Sequence, residues 1–240
     1  MEINSVAEFL SALKDKRGRV NPLLWYRGHA DKSWVLLPGY QRLKKPPPES
    51  VLMNRFKQNA NLLLGHQPKS NFDWLFIMQH YGVPTRLLDW TESPLVALYF
   101  AVNSHDKKNG AVWVLDPVKL NQSTKAKPDD YKFVPAFEDE RVAGYDTLSV
   151  ENSPELGIEP MAVMATRNNA RIQAQLGVFT ISHQAKKKLE DIGDGAHLSF
   201  FEIPAAKKKT ISEELEILAF GKFQVFPELA SVGEIIKGAL

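Results

Sequence analysis

The sequence contains no cysteine, and this absence excludes several kinds of site. Disulfide bonds, thiolate metal ligands and a cysteine nucleophile all need that residue. The glycine-rich phosphate loop, the serine nucleophile elbow and the zinc-binding HExxH motif are absent too. The six histidines are scattered, and none lies at metal-ligand spacing from another. We therefore expect no metal site and none of the enzyme classes that those motifs define.

Long apolar runs are also missing, and the charge is nearly balanced. No run reaches the roughly 20 apolar residues of a membrane-spanning helix, and the opening MEINSVAEFL lacks the pattern of a signal peptide. We therefore expect a cytoplasmic protein that does not enter a membrane. The net charge of +2 is too small to indicate nucleic-acid binding by itself. The lysine clusters at 186–188 and 207–209 are typical of exposed helical faces.

The chain does contain enough apolar residues for one sizeable core. Its 240 residues are 44% hydrophobic, which predicts a single domain over 1–240, with a motif core at 22–115 and a closing segment at 160–230. Helical patterns come early and strand patterns late, which favours an α+β fold with a mixed, mostly antiparallel sheet packed by helices. The patterns predict strands at 22–26, 35–37, 111–115, 161–165, 178–182 and 197–203, helices at 6–15, 51–64 and 184–191, and a mobile surface insertion at 121–135.

The stretch 78–102, MQHYGVPTRLLDWTESPLVALYFAV, places many polar residues between two apolar runs. Gly82 suits the left-handed position after a helix, and Pro84 prevents that helix from continuing. Ser93 and Pro94 are typical of the start of a second helix, whose apolar composition indicates burial. The stretch therefore predicts a polar connection between two helices.

Two interpretations of this connection remain open. Polar side chains on a loop between rigid helices are typical of a binding site. Alternatively, an Arg86–Asp89 ion pair and a helix cap from Thr91 or Ser93 only hold a tight loop together.

Two further residues have both a functional and a structural interpretation. Arg27 follows a predicted strand, so its guanidinium could bind a phosphate or carboxylate while Gly28 lets the ligand approach closely. The structural alternative is that Arg27 pairs with Asp89 at the sheet edge. His80 ends a predicted helix, whose dipole favours a protonated imidazole. It either caps that helix or serves as an acid or base.

These residues also carry a resemblance to a known family. The sequences QHYG at 79–82 and PTRLLDWT at 84–91 strongly resemble the core motif of FRG domains, a bacterial family named for a Phe-Arg-Gly tripeptide. That tripeptide is present as YRG at 26–28, with tyrosine in place of phenylalanine. After the tripeptide, four residues follow in the order that the family shows: Trp34, Leu37, Pro38 and Arg42. The sequence RIQAQLGVF at 171–179 and the segment 203–229 resemble the family's closing segments.

A weaker resemblance links the chain to ADP-ribosyltransferases of the Arg-Ser-Glu type. It implies that Arg27 holds a phosphate of NAD and that Thr85, Thr91 or Ser93 braces the site. Gln175 then stands where that family places its catalytic glutamate. An amide can hydrogen-bond a ribose hydroxyl, but it cannot stabilise a developing positive charge as a carboxylate does.

Together the resemblances imply a nucleotide-handling pocket with NAD as cofactor. The expected activity is ADP-ribosyl transfer or NAD hydrolysis in bacterial stress or phage defence, as in toxin-like proteins. The alternative is a non-catalytic module that recognises a nucleotide, a nucleic acid or a protein partner. The predicted catalytic residues are Arg27, His80, Thr91 and Gln175, and the predicted ligand-binding residues are Tyr26, Gly28, Gln79, Tyr81, Thr85, Arg86, Asp89 and Trp90.

Overall fold

The computed structural model describes residues 1–18, 22–65, 67–124, 133–153, 158–167 and 169–238. The described strands are β1 Trp25–His29, β2 Leu87–Thr91, β3 Gly110–Leu115, β4 Met161–Val163, β5 Gly177–Ile181 and β6 Leu198–Ile203. They form one sheet in the order β4-β5-β2-β1-β3-β6, and neighbouring strands run antiparallel. The α+β prediction is therefore confirmed.

Local capping signals account for the starts of three helices. The Ser5 and Ser93 side chains accept hydrogen bonds from Glu8 and Val96 backbone N–H groups, and Ser70 forms a capping box with Asp73. Gly82 has a φ of 78°, the left-handed conformation predicted after the helix. The described helices are α1 Val6–Arg17, α2 Gly39–Arg42, α3 Glu49–Ala60, α4 Asn71–His80, α5 Pro94–Val102, α6 Pro117–Ser123, α7 Thr147–Asn152, α8 Ala170–Ala174, α9 Lys208–Ile217, α10 Lys222–Val225 and α11 Leu229–Gly238.

The polar connection between α4 and α5 is not the loop that its composition predicts. Residues 87–91 form β2, one of the two central strands. The predicted strand at 22–26 is also displaced, since β1 starts at Trp25 and contains Arg27 rather than ending before it. Both errors arise because a central strand can contain polar residues when long-range partners satisfy them.

Two other predicted elements are wrong. The segment 35–37 is not a strand, because the Leu36 backbone bonds to Glu190 and Leu189 rather than to a neighbouring strand. The segment 184–191 contains only a 3₁₀ turn, at Leu189–Asp191. Before that turn, the Gln41 side chain donates to the carbonyls of His183 and Ala185.

Two surface predictions also change. In the predicted insertion at 121–135, residues 121–123 belong to α6, and residues 125–132 lie outside the described residues. In the lysine cluster 207–209, Lys208 is buried rather than exposed. Its ammonium group donates to the carbonyls of Ala30, Ser104 and His105.

One face of the sheet carries two separate apolar clusters. The first joins α1, α5 and α9 to β1, β3 and β6 and includes Tyr26. The second joins α3 and α4 to β2, β4 and β5 and includes Leu87. Tyr26 pairs directly with Thr91, and Leu87 shares the face of Thr91 by strand alternation. Both clusters therefore lie on the same face, with the central strands between them.

The central strands β1 and β2 separate soon after they meet. The described residues pair at one position, Tyr26 opposite Thr91. Continuing that register would place Gly28 opposite Asp89. Instead, the Arg27 side chain reaches across, and its Nη1 donates a 2.6 Å hydrogen bond to the Asp89 carbonyl oxygen. The centre of the sheet is therefore held by a side chain where strand pairing stops.

Gly28 allows α5 to pack directly on β1. A Cβ atom at this position would lie 1.9 Å from the Ala97 carbonyl oxygen and 2.7 Å from the Ala101 nitrogen. Real Cβ atoms do not approach backbone atoms so closely. The close neighbour that Gly28 admits is therefore a helix backbone, in contrast to the ligand expected from the sequence.

Candidate ligand-binding cleft

A cleft of about 330 Å³ lies where β1 and β2 separate, between α4 and α5. Helix α4 contributes Phe76, Gln79 and His80 to its wall, and α5 contributes Val96, Ala97 and Phe100. Most of the predicted site residues line this cleft. They are Tyr26, Arg27, Gly28, Gln79, His80, Asp89, Trp90, Thr91 and Gln175.

The Arg27 side chain is held by His29 and Asp89. Its Nε donates to His29 Nε2 at 3.1 Å, and its Nη1 donates to the Asp89 carbonyl oxygen at 2.6 Å. The same Nη1 lies 3.8 Å from Asp89 Oδ2, and the side chain is 21% exposed. Burial lowers the pKa of Arg27, the nearby Asp89 charge raises it, and the Arg42 charge lowers it again. Nη2 has no partner among the described residues, so the guanidinium can still bind a ligand.

His29 is a site residue that the sequence analysis missed. Burial, followed by the charge of Arg27, lowers the pKa of His29 from 6.5 to about 3. The ring is therefore neutral near pH 7, and its Nε2 lone pair accepts the Arg27 Nε–H. The two-residue spacing of Arg27 and His29 could have indicated their contact, because residues two apart on a strand share a face. That inference requires knowing that residues 25–29 form a strand.

Asp89 presents a carboxylate to the cleft. Its side chain is 53% exposed, and Oδ2 accepts a 2.8 Å hydrogen bond from Gln79 Nε2. Gln79 Oε1 in turn accepts a 2.7 Å hydrogen bond from the Thr85 hydroxyl. Thr85 is fully buried and is not among the residues that line the cleft. Thr85 therefore supports the cleft through its hydrogen bond to Gln79 and does not face a ligand.

His80 and Arg171 lie together in the cleft wall. Burial lowers the pKa of His80, Arg171 lowers it further, and Glu228 opposes the shift. This shift runs against the protonated imidazole that the helix dipole favours. Arg171 also packs on the Phe226 ring at 4.8 Å, which joins this wall to the segment after α10.

Thr91 and Gln175 hold each other in place. The Thr91 hydroxyl donates to the Gln175 carbonyl oxygen at 2.5 Å and accepts from the Ser93 N–H at 2.9 Å. The Gln175 amide donates to the Val225 carbonyl oxygen at 3.0 Å. Gln175 caps the C-terminal end of helix α8. Both side chains face the cleft with polar groups already engaged within the protein.

Besides Thr85, two predicted ligand-binding residues lie outside the cleft. Arg86 is buried and pairs with Glu49. The structural interpretation of the loop is therefore wrong in pairing Arg86 with Asp89. Strand alternation turns Arg86 away from the face that carries Leu87 and Asp89. Tyr81 is 66% exposed and contacts the rings of His80 and Phe56.

The acidic segments at 138–141 and 213–216 do not line the cleft. Asp139 pairs with Arg141, whose hydrogen bonds lower the pKa of Asp139 to about 2. Glu214 accepts a hydrogen bond from the Val6 backbone. Among the described residues that line the cleft, the carboxylate is that of Asp89.

The fold and the site define an α+β domain with a polar cleft at the centre of an antiparallel sheet. Residues 23–110 match the family model of the FRG domain, so the chain carries an FRG domain. The match extends from before β1 to the start of β3 and includes α4, β2 and α5. The resembling segments at 171–179 and 203–229 lie outside it. No curated protein and no solved structure matches the chain.

The described residues contain neither a membrane-spanning helix nor a metal-binding cluster. In that part of the chain, no helix has the length and apolar character needed to cross a membrane. The same residues contain no group of three or more histidine, aspartate or glutamate side chains placed to hold a metal ion.

Proposed function

We propose that the cleft binds NAD and that the protein cleaves the bond between its nicotinamide and ribose. The observation that supports this proposal is the placement of Arg27 and Asp89, whose charged groups lie 3.8 Å apart in the cleft wall. A volume of about 330 Å³ is within the range of about 300–1,000 Å³ that is usual for small-ligand sites.

The cations of the cleft are suited to the phosphates of a dinucleotide. Arg27 Nη2 has no partner among the described residues, and Arg171 lines the same cleft. A guanidinium forms paired hydrogen bonds with phosphate oxygens, and partial burial strengthens them. The rings of Trp34 and Phe100, with Val96 and Ile172, supply apolar surface for a base.

Asp89 supplies the negative charge that Gln175 lacks. When the glycosidic bond of NAD breaks, positive charge develops on the ribose ring. In hydrolysis, a water oxygen bonds to C1′, nicotinamide leaves with the electron pair of the broken bond, and the water releases a proton. A carboxylate beside C1′ stabilises that transition state electrostatically. Transfer of the ADP-ribosyl group differs only in the nucleophile, and NAD loss of either kind would connect the protein with bacterial defence or stress.

A second candidate is a nucleotide-binding module without catalysis. The engagement of the Thr91 hydroxyl and the Gln175 amide within the protein favours it. Such a module would bind NAD or a related nucleotide through Arg27 and Arg171 and release it unchanged. If the ligand of this module is a nucleic acid, single-stranded RNA is the candidate, and its binding would weaken steeply as the salt concentration rises.

Calorimetry with NAD and a nicotinamide-release assay test both candidates. We expect binding that Arg27→Ala weakens at least about 10-fold, since a charge-assisted hydrogen bond contributes about 1.5–3 kcal/mol. We expect Asp89→Asn to abolish nicotinamide release with a smaller effect on affinity. Arg17→Ala and Asp15→Asn, both exposed on α1, are the matched controls. Binding without release would select the non-catalytic module, and the absence of NAD binding would reject both candidates for this ligand.

A further inference from the structure

Three side chains form a continuous hydrogen-bonded row that runs from buried Thr85 to the cleft wall. The Thr85 hydroxyl donates to Gln79 Oε1 at 2.7 Å, and Gln79 Nε2 donates to Asp89 Oδ2 at 2.8 Å. Gln79 lies in the last turn of α4, Thr85 precedes β2, and Asp89 lies within β2. The row therefore ties the end of a helix to the strand that carries the cleft carboxylate.

The chemistry of the row permits one orientation of the Gln79 amide. The carboxylate of Asp89 accepts hydrogen bonds, so the NH2 group of Gln79 must face it. The Thr85 oxygen already accepts from the Leu87 N–H at 3.2 Å, and its single hydrogen points to Gln79 Oε1. A flipped amide would set its oxygen against the carboxylate. Asp89 and Thr85 therefore favour the same orientation of the Gln79 amide.

The row also determines which carboxylate oxygen is available. Asp89 Oδ2 accepts from Gln79 and is the oxygen nearest to Arg27 Nη1. Asp89 Oδ1 has no partner among the described residues. Asp89 Oδ1 is therefore available to a ligand as an acceptor, and Arg27 Nη2, which also has no partner among the described residues, is available as a donor.

We propose that Gln79 and Thr85 are positioning residues, which hold Asp89 so that Oδ1 faces the ribose of the bound nucleotide. This inference rests on the proposed function, because it assigns the carboxylate to the same reaction. Thr85 does not contact the ligand and acts only through Gln79. A displacement of about 1 Å in a reacting group can reduce the rate about 100-fold, so a buried hydroxyl behind the site can control turnover.

Thr85→Val and Thr85→Ser are the test variants, because valine has nearly the shape of threonine without its hydroxyl. We expect Thr85→Val to lower kcat for nicotinamide release about 10- to 100-fold while KM changes less than about threefold. Thr85→Ser should restore kcat to within about threefold of the wild type. Gln79→Leu, on the half-buried end of α4, should reproduce the loss if Thr85→Val does not fold.

Thr124→Val is the matched control. Thr124 is also buried but does not line the cleft, and its hydroxyl donates to the Asn121 carbonyl oxygen at 2.8 Å. The variant should lower Tm to a similar degree and leave kcat unchanged. An equal loss of kcat in Thr124→Val and Thr85→Val would show a general loss of packing and overturn the inference.

Nuclear magnetic resonance of the Gln79 side-chain amide tests the row without any ligand. In the free protein, one Nε2 hydrogen should exchange slowly with solvent, and Thr85→Val and Asp89→Asn should each accelerate that exchange at least about 10-fold. Failure of the wild type to bind NAD would reject the proposed function, but the amide measurement would still stand. Unchanged exchange in Thr85→Val, or unchanged kcat in an active enzyme, would overturn the positioning role. If NAD binds without turnover, the positioning role in the reaction is rejected.

Discussion

Arg86 and Glu49 form a buried ion pair, with Nε of the arginine 2.8 Å from Oε2 of the glutamate and side-chain exposures of 2% and 4%. The remaining guanidinium nitrogens donate to the carbonyls of Ser182 and Tyr145. Glu49 also accepts from the Arg86 backbone N–H and from the Thr147 hydroxyl. Arg86 therefore joins β2 to the start of α3 and to the segment before α7, which is a structural role.

Arg86→Ala should lower the free energy of unfolding by about 3–5 kcal/mol, because it leaves the Glu49 carboxylate buried without its cation. Urea unfolding measures this change. The control is Lys119→Ala, whose partner Asp116 lies 3.6 Å away and whose side chain is 60% exposed. That variant should lose no more than about 1 kcal/mol. Similar losses in the two variants would contradict the structural role.

Gly28→Ala should prevent α5 from packing on β1. The added methyl would overlap the Ala97 carbonyl oxygen, and backbone atoms cannot rotate away as a side chain can. We expect the free energy of unfolding to fall by about 3 kcal/mol or more, at the upper end of overpacking effects. Gly65→Ala is the control, because its Cβ would have nothing within 4 Å. A stable Gly28→Ala protein would show that α5 is not held at this distance.

The lowered pKa of His29 should make folding stability depend on pH. The unfolded chain binds a proton near pH 6.5, whereas burial in the folded chain prevents this until about pH 3. Stability from His29 is therefore complete above pH 6.5 and falls as the pH drops towards 3, by up to about 1.4 kcal/mol per pH unit. His80, His183 and His197 have pKa values lowered in the same direction.

His29→Gln should reduce that pH dependence, because glutamine offers Arg27 an acceptor that does not titrate. Urea unfolding at several pH values between 4 and 7.5 gives the slope for the wild type and the variant. Equal slopes would show that His29 titrates normally in the folded protein.

Lys208 and its neighbour Lys209 provide a matched pair. Lys208 is 2% exposed and donates to three backbone carbonyls, and burial lowers its pKa. Lys208→Met should lower the free energy of unfolding by at least about 1–3 kcal/mol, because buried acceptors lose their donor. Lys209 is 89% exposed, and Lys209→Met should be nearly neutral.

The same pair of variants links α9 to the cleft. Ala30 and Ser104, whose carbonyls Lys208 binds, also line the cleft. Lys208→Met should therefore weaken NAD binding, whereas Lys209→Met should not. A calorimetric titration of each variant with NAD makes this comparison. Equal affinities would show that the cleft wall does not depend on Lys208.

The sequence predicts best where the physical cause is local. The left-handed Gly82 and the Ser93-Pro94 start of α5 each depend on a few adjacent residues, and both are confirmed. Sequence reasoning fails at β2, where Arg86 and Asp89 resemble a polar loop. Their side chains are satisfied by partners far away in the chain, such as Glu49 and Arg27.

The sequence by itself determined the α+β class, the helix ends around the central motif and most of the residues that face the cleft. Only the tertiary structure decided that β1 and β2 separate, that Arg86 turns away, and that Asp89 supplies the cleft carboxylate. Helix caps and turns depend on neighbouring dihedral angles and local hydrogen bonds. Strand register and buried ion pairs depend on which distant segments meet, and those contacts decide whether a polar side chain supports the fold or faces a ligand.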